Sequence, residues 1–532
     1  MHTEEVAVFS MLRKITSTRW FLTVSITIVG CAVCAGCADT HGIAPQTQPL
    51  AASQIDQGEA LRTASQNAAW PSDAWWRDLH DAQLNQLIAV ALQDNPTLAV
   101  AAARTREAIA LAQEARADTL PQLNLNASVA RERWPDNFFY GPGELGGATT
   151  WNNTATLGLS YDLDLFGRDK DLARRGLDVA HAAAADQRAA QLSLETNIIR
   201  TYVAFSLNYA LRDKLTAILG EQTHIVDIAN RRLSGGIGTQ LDVSQAQVLL
   251  PETRRQIEVL DESTALLRNQ LAILMGKGPG AADGLQRPSL IDIVQNGGAP
   301  PLPANLSLDL LGHRPDVVAQ RWMVEAQSQG IAAAKAAFYP NVSLLVTAGG
   351  FAAAGGPIGG GLLTFLAAKS LSYSAGPALS LPIFDGGRLR AQLGAASANY
   401  DVAVAQYDQT VLSAFKQVSD QIVTLNSLAR QQIQVDQSLT IAQKNDRIAT
   451  EGFRRGLTDY LNVLDAQTRL LTEQQAQQRL VASRLDAYAT LMSALGGGLP
   501  PENPNTTLSD VAAMPRAATP AGTPAVSPLV SP

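Results

Sequence analysis

Beyond position 37 the chain contains no cysteine; its three thiols are Cys31, Cys34 and Cys37. A disulfide framework, a cysteine zinc site and a cysteine nucleophile are therefore excluded from the body of the protein. The six histidines, His2, His41, His80, His181, His224 and His313, stand singly and never at i, i+4 spacing, so no histidine metal site is expected. Charge is sparse as well, 17% of residues, with 41 basic against 48 acidic side chains and a net charge of −7. Without a basic tract, nucleic acid is not an expected partner. After the N-terminal segment no apolar run reaches the roughly 18 residues of a spanning helix. Any later membrane crossing would have to be made by strands. What abounds is hydrophobic residues, 46% of 532 positions, enough for a large core and incompatible with global disorder.

Arg13, Lys14 and Arg19 precede an apolar run from Trp20 to Val33, the pattern of a secretory signal. The acidic segment before Met11 is unusual there, which makes Met11 an alternative start. The run ends Cys34-Ala35-Gly36-Cys37, which resembles a bacterial lipoprotein box with Cys37 as the cleaved and acylated cysteine. Cys34 stands where such boxes usually carry leucine, and Cys31 is a weaker acylation candidate because Val29 is bulky for its position. With Ala38 next, the aspartate that usually retains lipoproteins in the inner membrane is absent there. Residues 1–36 are thus expected to be a signal peptide, and 37–69, polar and rich in Pro, Gln and Ala, a lipid-anchored tether. Residues 500–532, rich in Pro, Ala, Thr and Ser, are expected to be a disordered tail.

Between these ends the chain repeats itself. Asn95-Pro96 recurs as Arg314-Pro315, Leu120-Pro121 as Tyr339-Pro340, and Leu165-Phe166 as Ile383-Phe384. Gly236-Ile237-Gly238-Thr239-Gln240-Leu241 recurs as Gly456-Leu457-Thr458-Asp459-Tyr460-Leu461, Ala246-Gln247 as Ala466-Gln467, and Met275-Gly276 as Leu495-Gly496. The offset stays between 218 and 220 residues in unbroken order, which marks a tandem duplication. The first repeat is placed at 70–290 and the second at 291–499, each reading helix, β-hairpin, long helix, tight break, helix.

The strands alternate with period 2. Leu123, Leu125, Ala127 and Val129 share one face, with Asn124, Asn126 and Ser128 on the other. Leu157, Leu159, Tyr161, Leu163 and Leu165 alternate with polar or small residues through Asp162 and Asp164. In the second repeat Val342, Leu344 and Val346 form one face, then Leu379, Leu381 and Ile383 another. Apolar-out, polar-in strands are the pattern of a membrane β-barrel, and Trp134, Phe138, Phe139, Tyr140 and Trp151 flank the first hairpin loop as an interfacial aromatic belt would. From Phe384 to Leu499 there is no proline, so about 70 residues before Arg455 can form one helix on the order of 100 Å long. Val404, Val411, Val418 and Leu425 recur every seven residues, flanked by Phe415, Ile422 and Ala429, as in a coiled-coil seam. In the first repeat Pro251 is expected to kink the partner helix. Four strands cannot close a membrane barrel, whose smallest bacterial form needs about eight, so oligomerisation is expected and three chains would supply twelve.

Taken together, Trp75-Trp76 followed by Leu84, Leu87, Ala91 and Asn95, the duplicated proline motifs, Phe384-Asp385-Gly386-Gly387, Gly456 with Leu461, and Leu464-Asp465-Ala466-Gln467 resemble the outer membrane efflux protein family. Within it, the chain is most similar to lipoprotein channels serving resistance-nodulation-division pumps. The resemblance implies a mainly α fold with a membrane β-barrel: a homotrimer with a twelve-stranded barrel, a long α-helical tunnel and a waist domain. The segment Pro279–Pro303 and the tether would lie at that waist. It implies an outer-membrane exit duct of a tripartite efflux pump, with a periplasmic adaptor and an inner-membrane transporter as partners and outer-membrane lipid around the barrel. Type I protein secretion is the alternative that the same architecture serves.

The resemblance also implies sites. Gly236, Gly238, Thr239, Gly456, Thr458 and Asp459 would form adaptor-docking tips, and Leu461, Asp465 and Phe453 the periplasmic gate. In a relative of this family a second acid stands where this chain has Asn462, while polar gate locks fall at Phe453 and Thr458. Related lipoproteins carry an arginine at Thr468, where here Arg469 is one step off. A solvated Asp465 paired with Arg469 is the plainer reading of that acid. Asp162 and Asp164 read as a pair in the barrel lumen. No enzyme activity, cofactor or metal is expected: the glycine-rich Gly349–Gly361 lacks the phosphate-loop spacing before Lys369-Ser370.

Overall fold

The computed structural model describes residues 40, 42–51, 54–56, 58–63, 71–136, 146–288, 290, 312–354, 360–361 and 363–498. Cys31, Cys34 and Cys37, the aromatic residues 138–140, the later part of the expected waist segment and the tail 500–532 lie outside them. The first half runs α1 (Ala82–Asp94), α2 (Pro96–Ala117), β1 (Gln122–Arg133), β2 (Thr149–Asp162), α3 (Arg168–Ser234) and α4 (Gln240–Leu274). The second runs α5 (Pro315–Ala336), β3 (Asn341–Ala354), β4 (Leu371–Ser380), α6 (Arg388–Arg454) and α7 (Tyr460–Ala494). The duplication is exact in helix length: α3 and α6 each have 67 residues, and α4 and α7 each have 35. At 1.5 Å per residue the longer pair each span about 100 Å. Helix α4 continues through Pro251. No described helix is long and apolar enough to cross a membrane.

Two compact units cut across the repeats: one takes the described residues within 1–48, 107–180 and 322–405, the other those within 49–106, 181–321 and 406–532. The first holds an antiparallel sheet in the order β1-β2-β3-β4. Its register aligns Leu125, Leu157, Ala348 and Tyr373 in one row, and Leu123, Leu159, Val346 and Ala375 in the next. The opposite face aligns Asn126, Thr156, Gly349 and Ser372, then Asn124, Gly158, Thr347 and Ser374. Each leucine row is thus matched across strands, and Leu123, Leu125, Leu371 and Tyr373 stand exposed. At the upper end Trp134 donates its indole N–H to Thr150 (2.9 Å), and the Arg131 guanidinium lies 5.4 Å from the Trp151 ring.

Two expectations need correction here. Asp164 is not a strand residue, because β2 ends at Asp162 and Asp164 adopts a left-handed φ of 42°. Its carboxylate instead accepts the backbone N–H groups of Asp169 (3.2 Å) and Lys170 (2.9 Å), closing the start of α3. Leu381 and Ile383 likewise fall beyond β4. Below the sheet, Phe166 stacks on Tyr339 at 4.7 Å, and Ile331, Phe338, Leu389 and Leu393 form a small core.

The second unit is helical. Trp75 is fully buried and meets the Tyr488 ring of α7 edge-on at 5.8 Å. Asp81 caps α1 by accepting from Leu84 N–H (2.9 Å), and the Tyr202 hydroxyl of α3 donates to the same carboxylate (3.1 Å). The seam of α6 is buried at Val411, Val418 and Leu425, but its flanking row moves from Phe415 and Ile422 to Leu428, leaving Ala429 exposed. A seven-residue row drifts around a helix of 3.6 residues per turn, so a neighbour one position back takes over.

The repeats also end alike. Gly276 and Gly496, with φ of 75° and 92°, close α4 and α7 in the same Schellman turn: Lys277 N–H bonds Ala272 carbonyl, and Gly497 N–H bonds Met492 carbonyl, both at 2.9 Å. One remaining carbonyl in each case is met by a side chain before the proline motif: Asn95 donates to Leu274 (2.7 Å), Arg314 to Ala494 (3.2 Å). A Cβ on Gly276 would stand 2.5 Å from the Asp94 carbonyl oxygen, and one on Gly496 2.3 Å from that of His313. Replacing either glycine by alanine should therefore lower the thermal unfolding midpoint, by more than the roughly 1–2 kcal/mol of a left-handed alanine alone. Gly394→Ala, in open space within α6, should be neutral or stabilising by about 0.5–1 kcal/mol in the same circular dichroism melt.

Glu195 of α3 is buried, and its carboxyl is pushed up to about 8, first by desolvation and against the opposing hydrogen bond from Gln191 (2.9 Å). The folded state thus holds a proton that the unfolded chain releases near 4.5. Stability through this group should fall as pH rises from about 4.5 to about 8. Denaturant midpoints measured across that range should show a shallower fall in Glu195→Gln than in the parent protein.

Candidate functional site

The tight breaks between the long helices carry the expected tip residues. Each break spans five residues, 235–239 and 455–459, between helices of matched length. The local cause is glycine: Gly236 and Gly456 sit at φ of 72° and 73°, positions that lets a helix end without steric cost. Ile237 N–H then bonds the Arg232 carbonyl (3.0 Å) and Leu457 N–H the Gly452 carbonyl (2.8 Å), the same reversal twice. Gly238 is also constrained by space, since a Cβ there would meet Arg232 Cβ at 3.0 Å.

The following helices start differently. Thr239 and Asp242 form a reciprocal capping box on α4, with Thr239 N–H donating to Asp242 (2.8 Å) and Asp242 N–H to the Thr239 hydroxyl (3.2 Å). The Thr239 backbone N–H, then its hydroxyl, hold the Asp242 carboxyl below the usual carboxylate range. On α7 Asp459 is the cap, accepting from Asn462 N–H (3.2 Å). The Asn462 amide donates to both Thr458 (2.7 Å) and Asp459 (2.8 Å) and locks the tip onto itself.

The three expected gate residues part company. Leu461 is 49% exposed on the first turn of α7, and Asp465, one turn later, is exposed and paired with Arg469 at 2.9 Å. Phe453 is instead buried, 8% exposed, in a cluster with Ile225, Ala229, Val243, Ala246, Tyr460 and Val463. Its ring meets Tyr460 at 5.9 Å and carries the Arg232 guanidinium at 5.1 Å. Phe453 therefore ties the two tips together rather than presenting a free face. Thr468 turns its hydroxyl back to the Leu464 carbonyl (2.8 Å) and offers no charge. At the sheet, Asp162 lies on the polar face with its carboxylate 3.9 Å from Arg168, whereas Asp164 is the helix cap described above.

Sequence reading missed one group nearby. Glu221 of α3, Asp446 of α6 and Gln467 of α7 line a single cavity beside the tip cluster. Gln467 stands within a duplicated Ala-Gln motif, and only its burial distinguishes it from its exposed counterpart Gln247.

A family model described as outer membrane efflux protein matches residues 87–277 and 306–497, the two repeats almost end to end. The chain belongs to this family. The fusaric acid resistance protein FusA of Burkholderia cepacia is 50% identical over 69% of this chain and 67% of that protein. The toluene efflux pump outer membrane protein TtgC of Pseudomonas putida is 32% identical over 87% of this chain and 93% of its own length. Among solved structures, the outer membrane protein VceC of Vibrio cholerae superposes with a TM-score of 0.73 at 32% identity, covering 81% of this chain and 100% of VceC. Efflux family membership places the protein in the outer membrane, as a transport channel with its helical part in the periplasm. Family and fold neighbours are channels rather than enzymes.

The tips generate a prediction of their own. Thr239→Ala and Asp459→Ala each remove an N-cap worth about 1 kcal/mol, or roughly fivefold in local opening. Hydrogen exchange of the amides that open α4 and α7 should accelerate by about that factor, with the interior of α3 and α6 unchanged.

Proposed function

We propose that the protein is the exit duct of a tripartite efflux pump, carrying small toxic organic compounds from a periplasmic adaptor and a resistance-nodulation-division transporter to the outside. One observation carries this reading beyond family membership: among the described residues, a four-stranded sheet with leucine rows on one face and Asn, Thr and Ser on the other, paired on only one side at β1 and at β4. In hydrocarbon such edges must find partners, since each unsatisfied backbone group costs several kcal/mol. Pairing β1 of one copy with β4 of the next closes twelve strands from three chains. Lipid acylation at Cys37 would add a second hold on the same membrane. The names of the relatives, which refer to fusaric acid and toluene, favour small-molecule cargo over secreted protein.

In this reading the tips at Gly236, Gly238, Thr239, Gly456, Thr458 and Asp459 meet the adaptor. Leu461 and Asp465, the exposed pair on α7, form stacked rings at the periplasmic mouth, with Phe453 bracing the wall behind them. A leucine ring narrows the opening and a carboxylate ring draws cations. Because each Asp465 already carries Arg469, the ring's field is weakened, and apolar closure by Leu461 bears more of the gating. Single-channel recording tests the assignment. Leu461→Ala should raise resting conductance, and Asp465→Asn should lower cation selectivity by a smaller proportion. Two variants indistinguishable from the parent would place the constriction elsewhere, and a monodisperse conducting monomer in native mass measurement would overturn the trimer.

A further inference from the structure

Between the C-terminal halves of α3 and α6 and the first turns of α7 lies a cavity of about 1030 Å³. One side of its lining is apolar, with Ile225, Phe453 and Val463 drawn from the tip cluster. The other carries acceptors from three helices: Glu221, Asp446 and the side-chain amide of Gln467. Gln467 is 7% exposed, and its N–H donates to the Glu221 carboxylate at 3.4 Å. That bond fixes the amide's orientation, because the flipped form would set its oxygen against a carboxylate. Among the described residues, the Gln467 carbonyl oxygen is then left buried with no donor, and so is one oxygen of Asp446. Buried acceptors without donors are rare in native proteins and costly to leave unmet.

The bases around the cavity do not resolve this. Arg455 is taken by Glu451 at 2.6 Å, and Arg447, Arg454 and His224 are exposed. Among the described residues none of them bonds Glu221 or Asp446. Desolvation, followed for Glu221 by the Asp446 charge, pushes both carboxyls above the ordinary carboxylate range, and no base enters as a lowering cause. These acceptors suit a cation with N–H donors, carried on a body that fits the apolar wall.

We infer that this cavity is a binding site for cationic amphiphiles, with the ammonium or guanidinium group held between Asp446, Glu221 and the Gln467 carbonyl and the apolar body against Ile225, Phe453 and Val463. The site goes beyond the efflux reading and does not rest on it, because binding is measured on purified protein with no pump or adaptor present. Its occupant would bridge α3 to α6 and α7, the helix pairs whose tips meet at the Phe453 cluster below.

The probe is dansylcadaverine, a primary amine on an environment-sensitive naphthalene, titrated by fluorescence into the full-length protein in lipid nanodiscs, with empty nanodiscs subtracted. Saturable binding of one probe per chain is expected. Asp446→Asn and Gln467→Leu should each weaken it about tenfold or more, the loss of one charge-assisted or buried hydrogen bond. The N-acetyl form, neutral, should bind at least tenfold more weakly, and the trimethylammonium form, charged but with no N–H on its cationic head, should fall between. Gly220→Leu keeps every polar group and adds bulk to the cavity wall, where a Cβ meets nothing within 4 Å; it should abolish binding while leaving the melting profile near the parent's. Absence of saturable binding, equal affinity for the amine and its N-acetyl form, or unchanged affinity in Asp446→Asn together with Gly220→Leu would each overturn the site.

Discussion

A sheet edge cannot face hydrocarbon, and most of this molecule follows from that constraint. Backbone N–H and C=O groups at an unpaired edge have no water to turn to inside a bilayer. The described sheet has four strands, with β1 and β4 each bonded on one side only. Among the described residues no helix covers Leu123, Leu125 or Tyr373 in its leucine rows, so this face is not a conventional core. In the function proposed above, lipid covers the rows and the sheet of another copy completes the edges. The long helices obey the opposite rule: their backbone is satisfied internally, and their sequence needs only a narrow buried seam, which Val411, Val418 and Leu425 provide.

Duplication supplies both parts twice, and the junctions show how far the copies have diverged. Helix lengths of 67 and 35 residues are kept in each copy, and so is the Schellman turn at every long-helix end. The side chains that finish those turns are not kept. Asn95 donates one neutral amide to the end of α4, whereas Arg314 reaches the end of α7 while also holding Asp316 and Gln417. At the tips, a threonine–aspartate box in one copy becomes an aspartate cap with an added asparagine in the other. Backbone geometry is the shared element; the polar atoms that satisfy it have been replaced one by one.

This division explains what could be read without coordinates. Offsets of 218 to 220 residues, alternating strands and the proline-free run from Phe384 are patterns of backbone demand, and each appears as an element in the structure. Side-chain roles were harder, because they depend on neighbours hundreds of residues away. Asp164 looked like a strand residue by alternation alone; its left-handed backbone, which turns its carboxylate onto α3, carries no signature in a period-2 pattern. The proline motifs were legible as repeats, but not as the caps that Asn95 and Arg314 place on helices about 180 residues further on. The compact units, assembled from three segments each, are invisible to any reading that cuts the chain once. Glu221, Asp446 and Gln467 come from three helices and share no spacing, so nothing short of the packed structure could have joined them.

The fate of Phe453 shows why position in a motif does not assign a role. It lies seven residues before Tyr460, across the glycine reversal, and the reversal folds the two rings to 5.9 Å. Burial follows, since Ile225, Val243 and Val463 already form an apolar patch at the same level and an exposed phenyl ring would leave it open. Arg232 then lies over the ring from the other tip, a cation–π contact worth about 0.5–1 kcal/mol at an exposed edge. A polar lock at this position would find one polar atom in that cluster, the buried Tyr460 hydroxyl, among side chains that are otherwise hydrocarbon. The contact between the tips is therefore apolar and non-directional, which lets the α6–α7 pair shift against α3–α4 without breaking a specific hydrogen bond at this point. Leu461 and Asp465, one and two turns into α7, stay outside the cluster and are left free to line whatever space the helices enclose.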